Sequence, residues 1–439
     1  MTAANPTTPV DRSALMHTYA DPPVTFVRGS GSWLWDTEGR RYLDFLSGLA
    51  VTSLGHAHPA VADALSEQAG TLLHVSNLFG NVVAPELAVT IDRLVGGGSE
   101  RAGGQVFFAN SGAEANECAL KLSRKWAGPG RHVVVSAWDA FHGRTLATLH
   151  ATGQPAKHAP FVPLPEGFVH VPYDDMAAME EACGDPAVAA VLVEPILGEA
   201  GVIMPSSDYL GALRQLCTER DILLVVDEIQ TGLARTGRWF CFQHAGVDPD
   251  IVTMAKALGN GVPISACWAR AEVAAAFGPG DHATTFGGQP LAAAAARATL
   301  AVMEAEDAPG RAQRAGKKLQ HGLSGLPGVH SVRGMGLLLA AQVNDGTAAT
   351  VVGEALSLGL VVNAPRADTV RLAPSLLVSD DEIDEGLAIL GAALDRTRNG
   401  STAGPASTAV PASTPAPAST PAPASVPGQR GGEEGGARS

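Results

Sequence analysis

The sequence predicts an α/β protein: a mostly parallel sheet covered by helices, with a smaller α+β unit assembled from both chain ends. Three observations carry this. Short β-branched runs alternate with helical stretches through the middle of the chain. Most of those runs are continuously apolar, as strands buried on both faces must be. The chain has 439 residues and 46% hydrophobic content, more than one small core needs, so two or three domains are expected.

In chain order, Trp33–Asp36 and 41–45 read as a hairpin about Glu38 and Gly39. Strands are expected at 105–108, 132–135, Val188–Val193, 222–226, Ile251–Met254 and 264–268. Helices are expected between them, including 113–125 and 209–220. A long alanine-rich helix over Pro290–Ala305 leads into apolar runs at 332–343, 361–362 and 370–372, mixed with helices. The division expected is 1–60 and 290–398 for the smaller unit, 61–289 for the large one, and a tail over 399–439.

The tail differs sharply in composition. Beyond Gly400 there is no aromatic residue and no Leu, Ile or Met, and PASTPA occurs at 411–416 and again at 417–422. Such a segment has too little apolar surface to offset its ordering entropy. It reads as a disordered, extended Pro/Ala/Ser tail.

Charge and cysteine usage narrow the function. The net charge is −14 with no Lys/Arg cluster, a poor match to nucleic acid or an anionic membrane. No apolar run reaches the ~20 residues of a membrane span. MTAANPTTPVDRS lacks a basic start followed by an apolar run, so no signal peptide is expected. Cys118, Cys183, Cys217, Cys241 and Cys267 are odd in number and never in a C-x-x-C pair. They read as reduced thiols in a cytoplasm, without a zinc site. His56 and His58, in GHAHP, are expected to have no carboxylate or cysteine ligand nearby and read as helix-entry and packing residues. Trp33 and Trp35 also read as packing residues, and the Gly29/Gly31 pair as a turn.

Chemistry collects where the central strands end. Ligands of such sheets sit beyond the carboxyl ends of the strands. After the 105–108 run comes Asn110-Ser111-Gly112-Ala113-Glu114, where Ser111 and Glu114 have capping-box spacing and Gly112 permits a tight turn. A helix starting there aims free N–H groups at the sheet edge, a ready anion site. After the 222–226 run comes Asp227, an acid that needs a cationic or hydrogen-bonding partner when buried. After Ile251–Met254 comes Lys256, alone between a buried strand and a glycine-rich loop. A lysine in that setting either snorkels to the surface or has a lowered pKa suited to a Schiff base. Phosphate cradle, buried acid and lone lysine are together what pyridoxal phosphate requires.

With these residues in place the chain strongly resembles the class III (fold type I) aminotransferases, and among them the acetylornithine aminotransferases. The motifs include FFANSGAEANECALKLSR, FHGRT, VEPILGEAGV, LLVVDEIQTGLARTG, PDIVTMAKALGNGVPISA, TTFGGQPLA and VRLAPSLLVSDDEID, in family order. The resemblance implies a large domain with a seven-stranded sheet, a pyridoxal 5'-phosphate cofactor and a homodimer with a composite site. It assigns Lys256 as the Schiff-base lysine and Asp227 as partner of the ring nitrogen. Glu228 falls among the cofactor residues, and Gln230 would bond the phenolic oxygen. Phe141 and Ile229 would flank the ring, and Ser111, Gly112 and Ala113 would cradle the phosphate. Thr285 would reach the phosphate of the neighbouring subunit, with Thr284 near the substrate.

Arg144 would bind the substrate's α-carboxylate, whose geometry an arginine fork matches. Arg371 would bind the α-carboxylate of glutamate, and Glu199 would neutralise Arg371 in the other half-reaction. The implied activity is transfer of the terminal amine of N2-acetylornithine to 2-oxoglutarate, in arginine biosynthesis. The alternatives are related ω-aminotransferases acting on ornithine, succinylornithine, 4-aminobutyrate or secondary metabolites and, in another class, a non-catalytic cofactor-binding interaction protein. The aliphatic Leu49, where ornithine enzymes carry an aromatic residue, favours an acylated substrate. Leu197, Gln289 and Thr52-Ser53 depart from the common motifs and are expected around the pocket, bearing on substrate preference.

Overall fold

The computed structural model describes residues 12–100 and 102–400. The expected tail, apart from its first two residues, and its repeats lie outside the described residues.

The centre is a seven-stranded sheet. Its spatial order is Gly104–Ala109, Ser265–Arg270, Ile251–Met254, Leu223–Asp227, Val188–Val193, Val133–Ala137, Phe168–Val171. The last five are mutually parallel, while Ser265–Arg270 runs antiparallel to both of its neighbours. A parallel crossover takes a dozen or more residues, and the short 255–264 connection turns the chain straight back instead. Val188–Val193 and Leu223–Asp227 are buried at every position. Complete burial of one such valine is worth roughly 1.5–3 kcal/mol, so the apolar runs register strongly as core. Six of the seven strands coincide with expected runs to within two residues. The edge strand Phe168–Val171 was not expected: it is four residues long, is only partly buried and carries a histidine.

The two chain ends meet in a four-stranded sheet. Phe26–Ser30, Trp33–Asp36 and Arg41–Asp44 form an antiparallel meander, with Gly39 at φ +80° in the tight turn. Leu360–Val361 then adds parallel to Arg41–Asp44. A second sheet orders Ser331–Met335, Leu338–Gln342, Thr369–Leu372 and Asn363–Arg366. The single run expected at 332–343 is therefore two strands, broken at Gly336 (φ +56°).

Helix Pro290–Ala305 starts with Pro290 in its first turn and is capped by the Gln289 side chain, which accepts from the Leu291 amide at 3.0 Å. Its run of five alanines, 292–296, is buried, and the small side chains let it lie against Pro59–Thr71 and Val83–Val95. Arg235 joins three distant stretches. Its guanidinium donates to the Leu337 carbonyl at 3.1 Å, the Pro374 carbonyl at 2.5 Å and Ser53 Oγ at 3.0 Å. Burial without a carboxylate partner pushes Arg235 down to about 9.

Among the described residues no helix is long and apolar enough to cross a membrane, and no His/Cys/Asp/Glu group is arranged to hold a metal ion. His56 pairs with Asp44 at 2.8 Å. Trp33 donates to Glu382 at 3.0 Å, and Arg41 and Arg28 lie over Trp33 and Trp35. The tryptophans pack under arginines, whereas His56, expected to have no carboxylate nearby, is paired with one that arrives from the preceding strand.

Candidate active site

A cavity of 380 Å³ opens at the carboxyl edge of the large sheet. Ten of the expected residues line it: Ser111, Gly112, Ala113, Phe141, Arg144, Glu199, Asp227, Ile229, Gln230 and Lys256. Each follows or ends a strand, so five strands, the edge strand Gly104–Ala109 among them, deliver the set from one direction.

Ser111 caps helix Gly112–Ala127, and its Oγ accepts from the Glu114 amide at 3.3 Å. The capping box is only half as expected, because the Glu114 carboxylate takes the amide of Asn110, one residue earlier, at 2.8 Å. The first turn of the helix faces the cavity through Gly112. A Cβ there would lie 2.8 Å from Ile229 Cδ1, so glycine is what lets Ile229 pack against the cradle.

Asp227 ends its strand and is 3% exposed. Its Oδ2 accepts from Asn116 Nδ2 at 2.8 Å and lies 2.8 Å from His142 Nδ1; Oδ1 takes the Ile229 amide at 3.1 Å. Asn116 is held in turn by Thr253 Oγ1, which donates to its Oδ1 at 2.8 Å. The acid is therefore fixed in orientation and partnered, as a buried carboxylate must be. Neither Asn116 nor His142 was expected. His142 stands between Phe141 and Gly143 in a motif already singled out, but a lone histidine there has no partner adjacent in sequence.

Lys256 sits at φ +36°, an uncommon backbone for a side chain, at the start of the short turn Lys256–Gly259. Asn260 ties that turn down, with Oδ1 accepting from the Leu54 amide at 2.8 Å and Nδ2 donating to the Gly55 carbonyl at 3.1 Å. Burial pushes the Lys256 amine down, while Glu199, Glu194 and Asp227 pull it partly back. A lowered amine is a better nucleophile and proton carrier near neutral pH.

The two arginines are in opposite conditions. Among the described residues Arg144 is exposed and has no hydrogen bond or ion pair; its nearest aromatic contact is the Phe141 ring at 5.5 Å. Arg371 is 1% exposed and locked. Its guanidinium donates to Glu199 Oε1 at 2.7 Å, the Gly198 carbonyl at 3.1 Å, Gln230 Oε1 at 3.3 Å and Asn363 Oδ1 at 3.1 Å. One terminal nitrogen is buried with no partner. Burial alone would raise the Glu199 carboxyl, but Arg371, Lys256 and Gln230 hold it down at about 2.

Glu194, also unexpected, lines the cavity and is 6% exposed. Burial pushes its carboxyl up, against the pull of His142.

Four expected residues are not in the lining. Arg371 reaches the site through Glu199 and Gln230. Glu228 turns away: its carboxylate accepts from Thr231 Oγ1 at 2.5 Å and the Phe242 amide at 2.8 Å, and burial pushes it up to about 7. It braces the loop after the strand and does not face the cavity. Thr284 accepts from Asn110 Nδ2 at 3.2 Å, beside the cavity, and Thr285 is exposed. Of the departures expected around the pocket, Thr52 lies against the lining residue Gly261, as expected, while the others lie behind the cavity: Leu197 packs among alanines, Gln289 caps a helix and Ser53 holds Arg235.

The description Aminotransferase class-III matches residues 15–394. The chain belongs to this family. An acetylornithine aminotransferase of Gloeobacter violaceus is 48% identical over 391 residues, 87% of this chain and 96% of that one. One of Mycobacterium tuberculosis is 45% identical over 402 residues, covering 90% and 99%. Among solved structures, the ornithine aminotransferase of Toxoplasma gondii superposes with a TM-score of 0.83 at 37% identity, covering 89% and 94%. The N-acetylornithine aminotransferase of Stenotrophomonas maltophilia does so with 0.75 at 36%, covering 87% and 98%. A second structure of the Toxoplasma gondii enzyme has partial occupancy of PLP at its active site. This class-III aminotransferase thus has the fold type I architecture, and its cavity suits such a group. A glycine-lined helix N-terminus, a fixed carboxylate and a lysine with a lowered pKa converge on one space.

Proposed function

We propose that the protein is a pyridoxal-phosphate-dependent acetylornithine aminotransferase, transferring the terminal amine of N2-acetylornithine to 2-oxoglutarate in arginine biosynthesis. The observation that carries the reading is the contrast between the two arginines: Arg144 free, Arg371 masked by Glu199. The site thereby offers a distal carboxylate one anchor and withholds the other. Relatives named for this activity at 45–48% identity support the substrate class.

Ser111, Gly112 and Ala113 would hold the cofactor phosphate, Asp227 its ring nitrogen, Gln230 its phenolic oxygen, and Phe141 and Ile229 its two faces. When bound, the cofactor supplies an aldehyde that takes up the amine and a ring that spreads the charge left at the substrate carbon. Lys256 Nζ would take the proton from the amine-bearing carbon and deliver it again in the next step. Arg144 would orient the acetylornithine carboxylate away from the reacting amine.

A cytoplasmic homodimer fits this reading. Leu72, Leu73, Leu78, Phe79, Val82 and Phe286 are large apolar side chains exposed on the single chain, more than a monomer ordinarily leaves open. Thr285, beside Phe286, would enter the partner's site from that face, with Thr284 at the edge. The five cysteines are buried and unpaired, in keeping with a reducing compartment. The same reading divides the chain near residues 60, 289 and 398, in keeping with the pairing of Leu360–Val361 to the N-terminal strands.

The test is a panel of amines with 2-oxoglutarate as acceptor. Acetylornithine preferred over ornithine, succinylornithine and 4-aminobutyrate is expected. Preference for a free α-amine would overturn the reading.

A further inference from the structure

The loop carrying Arg144 and the turn carrying Glu199 arise from different strands, yet one side chain holds both. Glu194 follows strand Val188–Val193 directly. Its Oε1 accepts the Phe141 amide at 2.8 Å, and its Oε2 accepts the Gly198 amide at 3.3 Å. Phe141 is three residues before Arg144. Gly198 adjoins Glu199, and its own carbonyl accepts from Arg371 at 3.1 Å.

The turn has little freedom to reach this arrangement otherwise. A Cβ on Gly198 would lie 1.8 Å from Gln230 Oε1, so the backbone is pressed against the residue that also touches Arg371. From outside, the Tyr173 hydroxyl donates to the Glu194 carbonyl at 3.1 Å and the Pro195 carbonyl at 3.0 Å, fixing the backbone from which the carboxylate projects. A carboxylate offers a separate oxygen to each of the two amides, whereas a glutamine would offer one oxygen and an NH2 group that cannot accept.

We propose that Glu194 is a positioning residue that sets the spacing between the two carboxylate anchors, Arg144 and the Glu199–Arg371 pair, and so tunes which length of amino acid the site accepts. This rests on the aminotransferase reading of the same cavity. One anchor moved relative to the other changes the fit of a substrate gripped at its far end more than the chemistry at Lys256. Small misplacements at such a clamp are costly.

The experiment compares Glu194→Gln and Glu194→Ala with wild type, as holoenzymes, with acetylornithine and with the best donor of the amine panel. Glu194→Ala should raise KM for the amine donor and for 2-oxoglutarate, each about 10-fold or more, with kcat changed less. Glu194→Gln keeps one acceptor and should raise at least one of the two. In an Arg144→Ala background, Glu194→Ala should add little to the donor KM, because the anchor it positions is gone. Amide exchange in peptides containing Phe141 and Gly198 should quicken in Glu194→Gln while the central strands stay protected, a readout that needs no turnover. Unchanged KM values with only a lower melting temperature, or fully additive effects with Arg144→Ala, would overturn the proposal. Should wild type transfer no amine from any donor, the functional reading fails, and the exchange result still decides whether Glu194 holds the two loops.

Discussion

Replacing Glu199 with glutamine removes the charge that masks Arg371 while keeping an acceptor oxygen near it. The size of the effect comes from the site itself. The Glu199 carboxyl stands at about 2, against an ordinary 4.5. That difference corresponds to about 3 kcal/mol at most. The Glu199 side chain is 31% exposed while Arg371 is 1% exposed, so solvent screens part of this and ~2 kcal/mol is the working figure. It falls within the range for a charge-assisted hydrogen bond. On the proposed function, an unmasked Arg371 would attract the acetylornithine carboxylate inward, where it would compete with Arg144. The amine-donating half-reaction of Glu199→Gln should therefore slow by roughly 10- to 30-fold. The 2-oxoglutarate half-reaction, which on that proposal would need Arg371 free, should change little. Arg371→Ala should reverse the pattern. Single-turnover measurement of each half separately is the assay. Equal losses in both halves, for both variants, would refute the masking argument. A carboxyl depressed in the folded protein contributes stability above about pH 4.5, lost as pH falls towards 2. Glu199→Gln should flatten that part of the acid-unfolding curve.

Lys256→Ala should give a folded protein that retains cofactor through Asp227 and the helix N-terminus but does not turn over; near-normal multiple turnover would remove Lys256 from its role. Asp227→Asn should keep the fold and slow proton abstraction, because an amide cannot keep a ring nitrogen protonated, and it also gives up one of the oxygens that Asn116 and Ile229 now use. An unchanged rate would exclude it. Truncation after Arg398 should leave activity and melting temperature unaltered, since the removed segment has no residues suited to a core. A loss above ~1–2 kcal/mol would show that it docks.

Much of the site is legible in the chain because each central strand announces itself as an apolar run, and the residues just after that run must sit at one sheet edge. Ser111, Asp227 and Lys256 are found in that way. Phe141, Arg144, Glu199 and Arg371 are reached through whole motifs, since nothing local separates a substrate-binding arginine from a surface one. The residues that stay hidden depend on partners distant in sequence. Asn116 reads as an ordinary helix residue until Thr253 and Asp227 close on it. Glu194 reads as the end of a strand until Phe141 and Gly198 arrive. Glu228 is misplaced from sequence because adjacency to Asp227 conceals that successive residues off a strand point to opposite sides. Phe168–Val171 lacks the length and apolarity that mark a strand buried on both faces.

The pairing of Leu360–Val361 with Arg41–Asp44 has a consequence for synthesis. A ribosome making roughly 5–20 residues per second emits the second strand some 15–60 s after the first. Throughout that interval the N-terminal meander has an open strand edge, the kind of edge on which another nascent chain can pair. Arg41 at the start of that strand places a charge there, and it later meets Glu385 on the final helix. The terminal region is thus the last to close and the place where an interrupted chain is most exposed to misassembly. Chains that stop before residue 360 should be recovered as aggregates or chaperone complexes, while those that end after residue 398 should not.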